Sequence, residues 1–183
     1  MKRIARLAPL LAAFAFPVLS PALAQDLPQT ITGDIDGDGV PDRVEVRSNA
    51  TDGDQVDVAI TLSASKRTVR VSELIAAQAV LPSAIDKGEL HLSFGWYQGR
   101  YKPSTDFYIG LQGQELVVRR YKTAIADSIS QDKNGVLVRT CEADFVANRA
   151  TVDDKPAAPP GPPIALAAWR GYDSVPKACQ SLF

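Results

Sequence analysis

The run from position 56 to position 62, in which every second residue is apolar, constrains the fold of this chain most strongly. Asp57, Ala59 and Thr61 separate the apolar positions. Because successive side chains of a β-strand point to opposite faces, this spacing predicts a half-buried strand and not a helix. The apolar members of the run are Val56, Val58, Ile60 and Leu62.

The same two-residue period recurs along the chain, and turn residues separate the runs. Segments 49–54, with Asp52-Gly53, and 112–114 predict the turns of two hairpins. We therefore expect a mainly β protein with an antiparallel, meander or sandwich-like sheet of about six or seven strands. One short helix is predicted from Ser72, a capping residue, to Leu81, because Pro82 would end it. The further runs are Val44–Val46, Val69–Val71, Leu90–Trp96, Phe107–Leu111, Leu116–Tyr121 and Val136–Phe145.

Residues 1–24 predict a signal peptide. Lys2, Arg3 and Arg6 give a positive start, residues 7–19 are mostly apolar, and Ala22-Leu23-Ala24 has the form that signal peptidases cleave. The apolar stretch is shorter than the roughly 20 residues that a membrane-spanning helix needs. We therefore expect bacterial export of residues 25–183 to the periplasm or the medium, without membrane insertion after cleavage.

Charge and length limit the partners and the domain count of the exported part. Cleavage would remove three of the 20 lysine and arginine residues and none of the 21 acidic ones, which leaves a net charge of −4. This balance does not favour binding to nucleic acid or to anionic membranes. The remaining length suits one domain on the prior of roughly 100 to 200 residues. Residues 155–163 hold five prolines and one glycine, so we expect an extended linker without sheet pairing there.

Cys141 and Cys179 are the two cysteines of the chain, and an even number in an exported protein predicts a disulfide. Their separation of 38 residues would make the bond worth about 3 to 4 kcal/mol on the chain-entropy model. Two buried free thiols are the alternative. Residues 164–183 are expected to dock on the body, because Trp169, Tyr172 and a disulfide partner favour burial.

An acidic segment at residues 34–45 is the one motif with a chemical mechanism. Carboxylates occupy positions 1, 3, 5, 9 and 12 of a calcium-loop pattern, and Gly39 occupies position 6. A hard cation needs six to eight oxygens at about 2.3 to 2.6 Å, which alternate residues of a curled loop can supply. Without a cation the carboxylates repel one another, and the alternative interpretation is a solvated acidic turn. The candidate Ca²⁺ ligands are Asp34, Asp36, Asp38, the carbonyl of Val40, Asp42 and Glu45.

The flanks of this segment favour a particular kind of loop. Leu27-Pro28 precedes it and an alternating strand follows it, so the paired helices of an EF-hand are not expected. Gly33–Asp42, running into Val44-Glu45-Val46, resembles the loop-then-strand calcium motif of FG-GAP/VCBS repeat proteins and is similar to dockerin and thrombospondin type 3 loops.

That resemblance implies ligation by the carboxylates at its first, third, fifth and ninth positions and by the carbonyl at its seventh. Glu45 would then be free to face out of the strand. The single loop does not imply a propeller, because a propeller needs repeats. The remainder, with Phe107–Tyr121 and Thr140–Phe145, resembles small bacterial periplasmic proteins that carry one such loop, and this resemblance implies no activity.

Aromatic and basic residues interleave around a predicted loop at residues 99–105. Exposed tyrosine, tryptophan and arginine are typical of binding hot spots, so this segment is the predicted interaction surface. The alternative places Trp96 in the core and the tyrosines at its rim. The candidate binding residues are Trp96, Tyr97, Arg100, Tyr101, Lys102 and Tyr108.

Few residues suit catalysis. His91 is the only histidine, which leaves too little material for a histidine zinc site or a Ser/His/Asp triad, and we expect it on the strand surface. Asp153-Asp154 could serve glycoside cleavage, but a solvated loop is the favoured interpretation.

The sequence therefore predicts a non-enzymatic, exported calcium-binding β-domain with a binding or envelope-associated role. Its expected partner is another envelope or extracellular protein. One alternative is an enzyme inhibitor or accessory protein that uses the Trp96–Tyr108 loop, and another is a carboxylate-based hydrolase.

Overall fold

The computed structural model of the chain describes residues 27–132 and 135–183, so the predicted signal peptide lies outside the described residues. The strands are β1 (Gln29–Gly33), β2 (Asp42–Ser48), β3 (Gln55–Leu62), β4 (Arg67–Ala76), β5 (Ala79–Val80), β6 (Ala84–Asp86), β7 (Glu89–Gly95), β8 (Tyr101–Gln112), β9 (Glu115–Asp132), β10 (Gly135–Asp144), β11 (Arg149–Val152), β12 (Lys155–Ala157) and β13 (Ile164–Ala165). Two 3-10 turns, Leu166–Ala168 and Gly171–Ser174, and one α-helix, α1 (Lys177–Gln180), follow.

The strands form two antiparallel sheets. One sheet has the order β1-β2-β3-β4, and the nine-stranded sheet has the order β12-β11-β10-β9-β8-β7-β5, with β13 on β9 and β6 on β7. Neighbouring strands in each path are mostly consecutive in the chain, as short hairpin turns dictate. The prediction of a mainly β, antiparallel protein is therefore confirmed.

The predicted number of six or seven strands is wrong, because the described residues contain 13 strands in two sheets. The long alternating runs are all strands. The additional ones are β1, β5, β6, β11, β12 and β13, each with at most five residues. So short a segment shows too few side chains for a two-residue period to be visible.

The short helix predicted from Ser72 to Leu81 is also wrong, because β4 continues to Ala76. A bulge interrupts β4: Val71 pairs with Val58, but the next partners are Ile75 and Val56. Glu73 lies in the bulge with a φ of 57°, and its amide donates to the Asp57 carboxylate at 2.9 Å. The extra residues break the alternation, which is why the strand signal is lost there.

The proline-rich segment is not wholly free of sheet pairing, as Lys155–Ala157 form β12 beside β11. Pro156 stands opposite Thr151. Proline is compatible with this position because β12 is the last strand of the sheet, and an edge strand tolerates a missing amide.

Buried residues of both sheets and of the C-terminal segment form one hydrophobic cluster. The predicted disulfide between Cys141 and Cys179 is present. Trp169 is 1% exposed, and its indole N–H donates to the Leu74 carbonyl at 3.0 Å. The predicted docking of the tail is therefore confirmed for Trp169 and Cys179, whereas Tyr172 is 53% exposed. No helix in residues 27–132 and 135–183 has the length and apolar character needed to cross a bilayer.

Candidate metal centre

The acidic segment is the connection between β1 and β2. The two strands pair in register up to Gly33 opposite Asp42, so residues 34–41 form the loop of a hairpin. The sequence anticipated only the strand after the loop. Because both ends of the loop are fixed by the same pair of strands, its first and last carboxylates are brought close together.

Three carboxylates converge in this loop. Asp34, Asp36 and Asp42 each offer an oxygen, and these oxygens lie within 4.8 Å of one another. Two oxygens bound to one calcium ion at about 2.3 to 2.6 Å can be no more than about 5.2 Å apart. The observed spacing is therefore compatible with ligation of a single ion.

The loop is folded by hydrogen bonds from backbone amides to its own carboxylates. Asp34 accepts from the Gly37 amide at 2.6 Å and from the Gly39 amide at 2.9 Å. Asp38 accepts from the Val40 amide at 2.7 Å. Gly37 and Gly39 have φ values of 79° and 84°, a region in which a residue with a Cβ is strained. The turn residues thus set the curl that brings the carboxylates together.

Asp42 anchors the loop to the body of the protein. Its side chain is buried, and its two oxygens accept from the amides of Ile35 and Ser63, each at 2.8 Å. Ile35, between two of the candidate ligands, is itself buried in the core. Ser63 lies 21 residues from Asp42, so no local sequence signal could have indicated this contact.

The electrostatics differ among the converging carboxylates. Hydrogen bonds from backbone amides, led by that of Gly39, lower the pKa of Asp34. Partial desolvation, followed by the negative charges of Asp42, Asp38 and Asp34, raises the pKa of Asp36. The protein therefore compensates the charge of Asp36 less than that of Asp34, and a cation at the loop would relieve the repulsion at Asp36.

Two of the other predicted carboxylate ligands, Asp38 and Glu45, stand apart from the three-carboxylate group. Asp38 is not a member of it. Val40, which was predicted to bind through its carbonyl, lies in the same loop. Glu45 lies on β2 and forms ion pairs with Arg43, at 2.9 Å, and Arg47. The carboxylate of Glu45 is thus engaged on the surface of the sheet.

The predicted interaction surface is only partly brought together. Tyr97 and Tyr101 are exposed near Arg100, whose guanidinium lies 5.1 Å from the centre of the Tyr101 ring. Arg100 also donates to both carboxylate oxygens of Asp127, at 2.8 and 2.6 Å. This pairing holds the pKa of Asp127 well below its usual range. Lys102 is exposed on the same strand end.

Tyr108 lies away from these residues, whereas Trp96 stays beside them, and its amide donates to the Pro103 carbonyl at 2.9 Å. Trp96 is half-buried, whereas Tyr108 stacks on His91, with ring centroids 4.6 Å apart, and lies under the guanidinium of Arg120 at 4.0 Å. His91 is hydrogen-bonded to Asp106 at 2.8 Å on this partly exposed face.

Asp153 and Asp154 occupy the β11–β12 turn. Asp153 accepts from the Thr140 amide at 2.9 Å and from Arg139 at 2.7 Å. The pKa of Asp153 is lowered, mainly by the hydrogen bond from the Thr140 amide and further by Arg139. A carboxylate held in its ionised form is suited to fixing the turn and is a poor general acid.

No family model, curated protein or solved structure matches this chain.

Proposed function

We propose that this protein is an exported, non-enzymatic β-domain whose β1–β2 loop binds one calcium ion. The observation that supports the proposal is the convergence of Asp34, Asp36 and Asp42 within 4.8 Å in a loop with the DxDxDG spacing. The motif is best described as a single FG-GAP/VCBS-like loop. The ion would order the hairpin, and the domain would then serve a binding or envelope-associated role.

The donor set favours calcium over other common ions. All three converging groups are carboxylates, and hard oxygen ligands suit calcium or magnesium, whereas zinc prefers nitrogen and sulfur. Magnesium requires near-ideal octahedral geometry at about 2.0 to 2.1 Å, while calcium accepts an irregular shell. Hydrogen bonds from backbone amides fix the carboxylates of Asp34 and Asp42. Because these carboxylates are not free to adopt octahedral positions, the loop suits the irregular coordination shell of calcium.

Export is supported by the disulfide between Cys141 and Cys179, since such bonds persist in oxidising compartments. Calcium in those compartments is abundant, and extracellular modules bind it at about 0.1 to 1 mM. Calcium would therefore act on the order and stability of the domain.

The test is thermal unfolding of the protein in chelator and in about 10 mM calcium. With the affinity of an extracellular module, calcium should stabilise the fold by about 1.4 to 2.7 kcal/mol, which raises Tm by roughly 3 to 10 °C. Asp36→Asn should lose this rise, whereas Glu45→Gln, which alters a carboxylate outside the group, should keep it. Coincident unfolding curves in chelator and calcium would refute the proposal. An equal rise of Tm with magnesium would mean that the loop does not select calcium.

A second candidate function is recognition of another exported protein through Tyr97, Arg100 and Tyr101. It is favoured by the exposure of both tyrosines beside an arginine that Asp127 holds in place, because rigid aromatic anchors lose little entropy on binding. A captured partner that Tyr97→Ala and Arg100→Ala release, and that Lys87→Ala retains, would support it.

A further inference from the structure

The first half of β10 forms an edge of the nine-stranded sheet. On one side, β10 pairs with β9 along its whole length. On the other side, the neighbouring β11 extends only as far as Val152, which lies opposite Cys141. Within the described part of the chain, no strand lies beside Val136–Arg139 on that side. We call this segment the open edge.

The backbone groups of two valines in the open edge have no strand to pair with in the described ranges. Thr140, which directly follows the open edge, donates its amide to the Asp153 carboxylate and accepts from the Asp153 amide, both at 2.9 Å. Because the N–H and C=O groups of successive residues point to opposite sides of a strand, those of Val136 and Val138 point the same way as those of Thr140. They face away from β9, and a further antiparallel strand would supply their missing partners.

Apolar side chains surround these backbone groups. Val136, Leu137 and Val138 are 47%, 37% and 49% exposed, and Ile129 on β9 is 70% exposed. They make up four of the ten large apolar side chains that are exposed in the described residues. Proteins normally protect an exposed edge by charge or by proline, and Val136–Val138 have neither. The open edge therefore has the character of a surface that another strand covers.

The strand behind the open edge is fixed to the body of the protein. Asp127, which lies opposite Leu137, accepts from the amides of Ile129 and Ser130 at 3.0 and 3.2 Å. Arg100 is bonded to Asp127 and also donates to the Ser130 hydroxyl at 3.0 Å. These contacts hold β9 and β10 in place, so the addition of a strand would order few further residues.

A second copy of this chain supplies a matching strand. In a two-fold antiparallel pairing, Val136 of each copy lies opposite Val138 of the other, and the two Leu137 residues lie opposite each other. Each pair of valines exchanges two hydrogen bonds, which satisfies the outward backbone groups of both copies. No like charges are opposed, because Arg139, the only charged residue among positions 135–139, lies opposite Gly135. Apolar side chains then cover apolar side chains.

We infer that this protein forms a two-fold dimer by antiparallel pairing of the open edges of two copies. The assembly closes at a dimer, because both copies use the same edge. The contact is small, so the dimer exchanges reversibly with the monomer. This inference does not rest on the calcium loop, and the dimer is expected in chelator as well as in calcium.

Sedimentation velocity of the intact protein, at concentrations up to about 1 mM, measures the equilibrium between monomer and dimer. The average mass should rise with concentration towards twice that of the monomer. Val138→Pro removes an outward-facing amide from each copy and no hydrogen bond to β9, so it should raise the dissociation constant at least about tenfold. Val146→Ser, at an exposed valine in the β10–β11 turn, should leave the dissociation constant unchanged.

A pair of charged variants tests the two-fold geometry and keeps every backbone amide. Val138→Lys and Val138→Glu should each dimerise more weakly than the wild type, because the pairing brings two like charges within reach of each other across the axis. An equimolar mixture of the two variants should dimerise more tightly than either variant alone.

The unfolding curve of each variant shows whether a loss of the dimer reflects pairing or a loss of the fold. A protein that stays monomeric up to about 1 mM would overturn the inference. It would also be overturned by a dimer that a folded Val138→Pro variant retains at full strength, or by a mixture of charged variants that dimerises no better than its components.

Discussion

The acidic loop and the docked C-terminal segment are held together in opposite ways. In the loop, Asp34, Asp36 and Asp38 bond to amides within five residues along the chain, and the conformation is largely local. In the C-terminal segment, the Trp169 indole donates to the Leu74 carbonyl, 95 residues away along the chain, and a disulfide joins Cys179 to Cys141, 38 residues away. Local contacts make the loop predictable from the sequence, whereas distant contacts make the docking of the C-terminal segment dependent on the whole fold.

The largest expected effect tests this comparison at the C-terminal segment. Trp169→Ala removes a fully buried indole and its hydrogen bond, so the free energy of unfolding should fall by about 3 to 5 kcal/mol. Tyr172→Ala, at an exposed neighbour, should cost less than about 1 kcal/mol. Denaturant unfolding of both variants measures the difference, and similar losses would mean that the tail is not anchored through Trp169.

Removing the disulfide tests the second distant contact. The double variant Cys141→Ala, Cys179→Ala should lose about 2 to 4 kcal/mol of stability. Reducing agent should bring the wild type close to the double variant and leave the variant unchanged. A wild type that is insensitive to full reduction would show that packing alone holds the tail.

At the loop, Asp42→Asn separates anchoring from ion binding. The two carboxylate oxygens of buried Asp42 accept hydrogen bonds from two backbone N–H groups. In the asparagine variant, the side-chain NH₂ group would face one of these donors. The free energy of unfolding should therefore fall by about 1 to 3 kcal/mol, even in chelator. Asp36→Asn should cause no loss in chelator, because it removes a repelling charge. If the two variants were equally stable in chelator, Asp42 would not anchor the hairpin.

The smallest expected effect lies at the pair of Arg100 and Asp127. Arg100 lowers the pKa of Asp127 in the folded state, so the pair stabilises the fold above the unfolded pKa of about 4, and this contribution is lost as pH falls below it. Asp127→Asn should therefore lower Tm at pH 7, and the difference should shrink on acidification. Asp86→Asn, an exposed control, should show little difference at either pH. A constant deficit for Asp127→Asn would contradict the ionic origin of the effect.

Sequence reasoning reached features whose cause lies within a few residues. The alternation of Val56 to Leu62 predicted β3, and the acidic spacing located the loop where Asp34, Asp36 and Asp42 converge. The pairing of Cys141 with Cys179 followed from their number.

Features that depend on distant partners could not be predicted. The bulge at Glu73 exists because Asp57, on the neighbouring strand, accepts its amide, and the Ala-rich composition around it suggested a helix instead. Tyr121 packs against the rings of Phe107 and Trp169, which come from distant parts of the chain, so no local pattern indicates these contacts. Ser63, the second anchor of Asp42, gave no signal for the same reason.

The proline in the last strand of the larger sheet has a consequence for behaviour at high concentration. An open sheet edge with free amides is a template on which another copy can add a strand and start a fibril. β12 has three residues, its centre is Pro156, and four more prolines follow by position 163. With few amides left to donate, this edge resists growth by strand addition, so the composition of the segment disfavours self-assembly at this edge as well as connecting its parts.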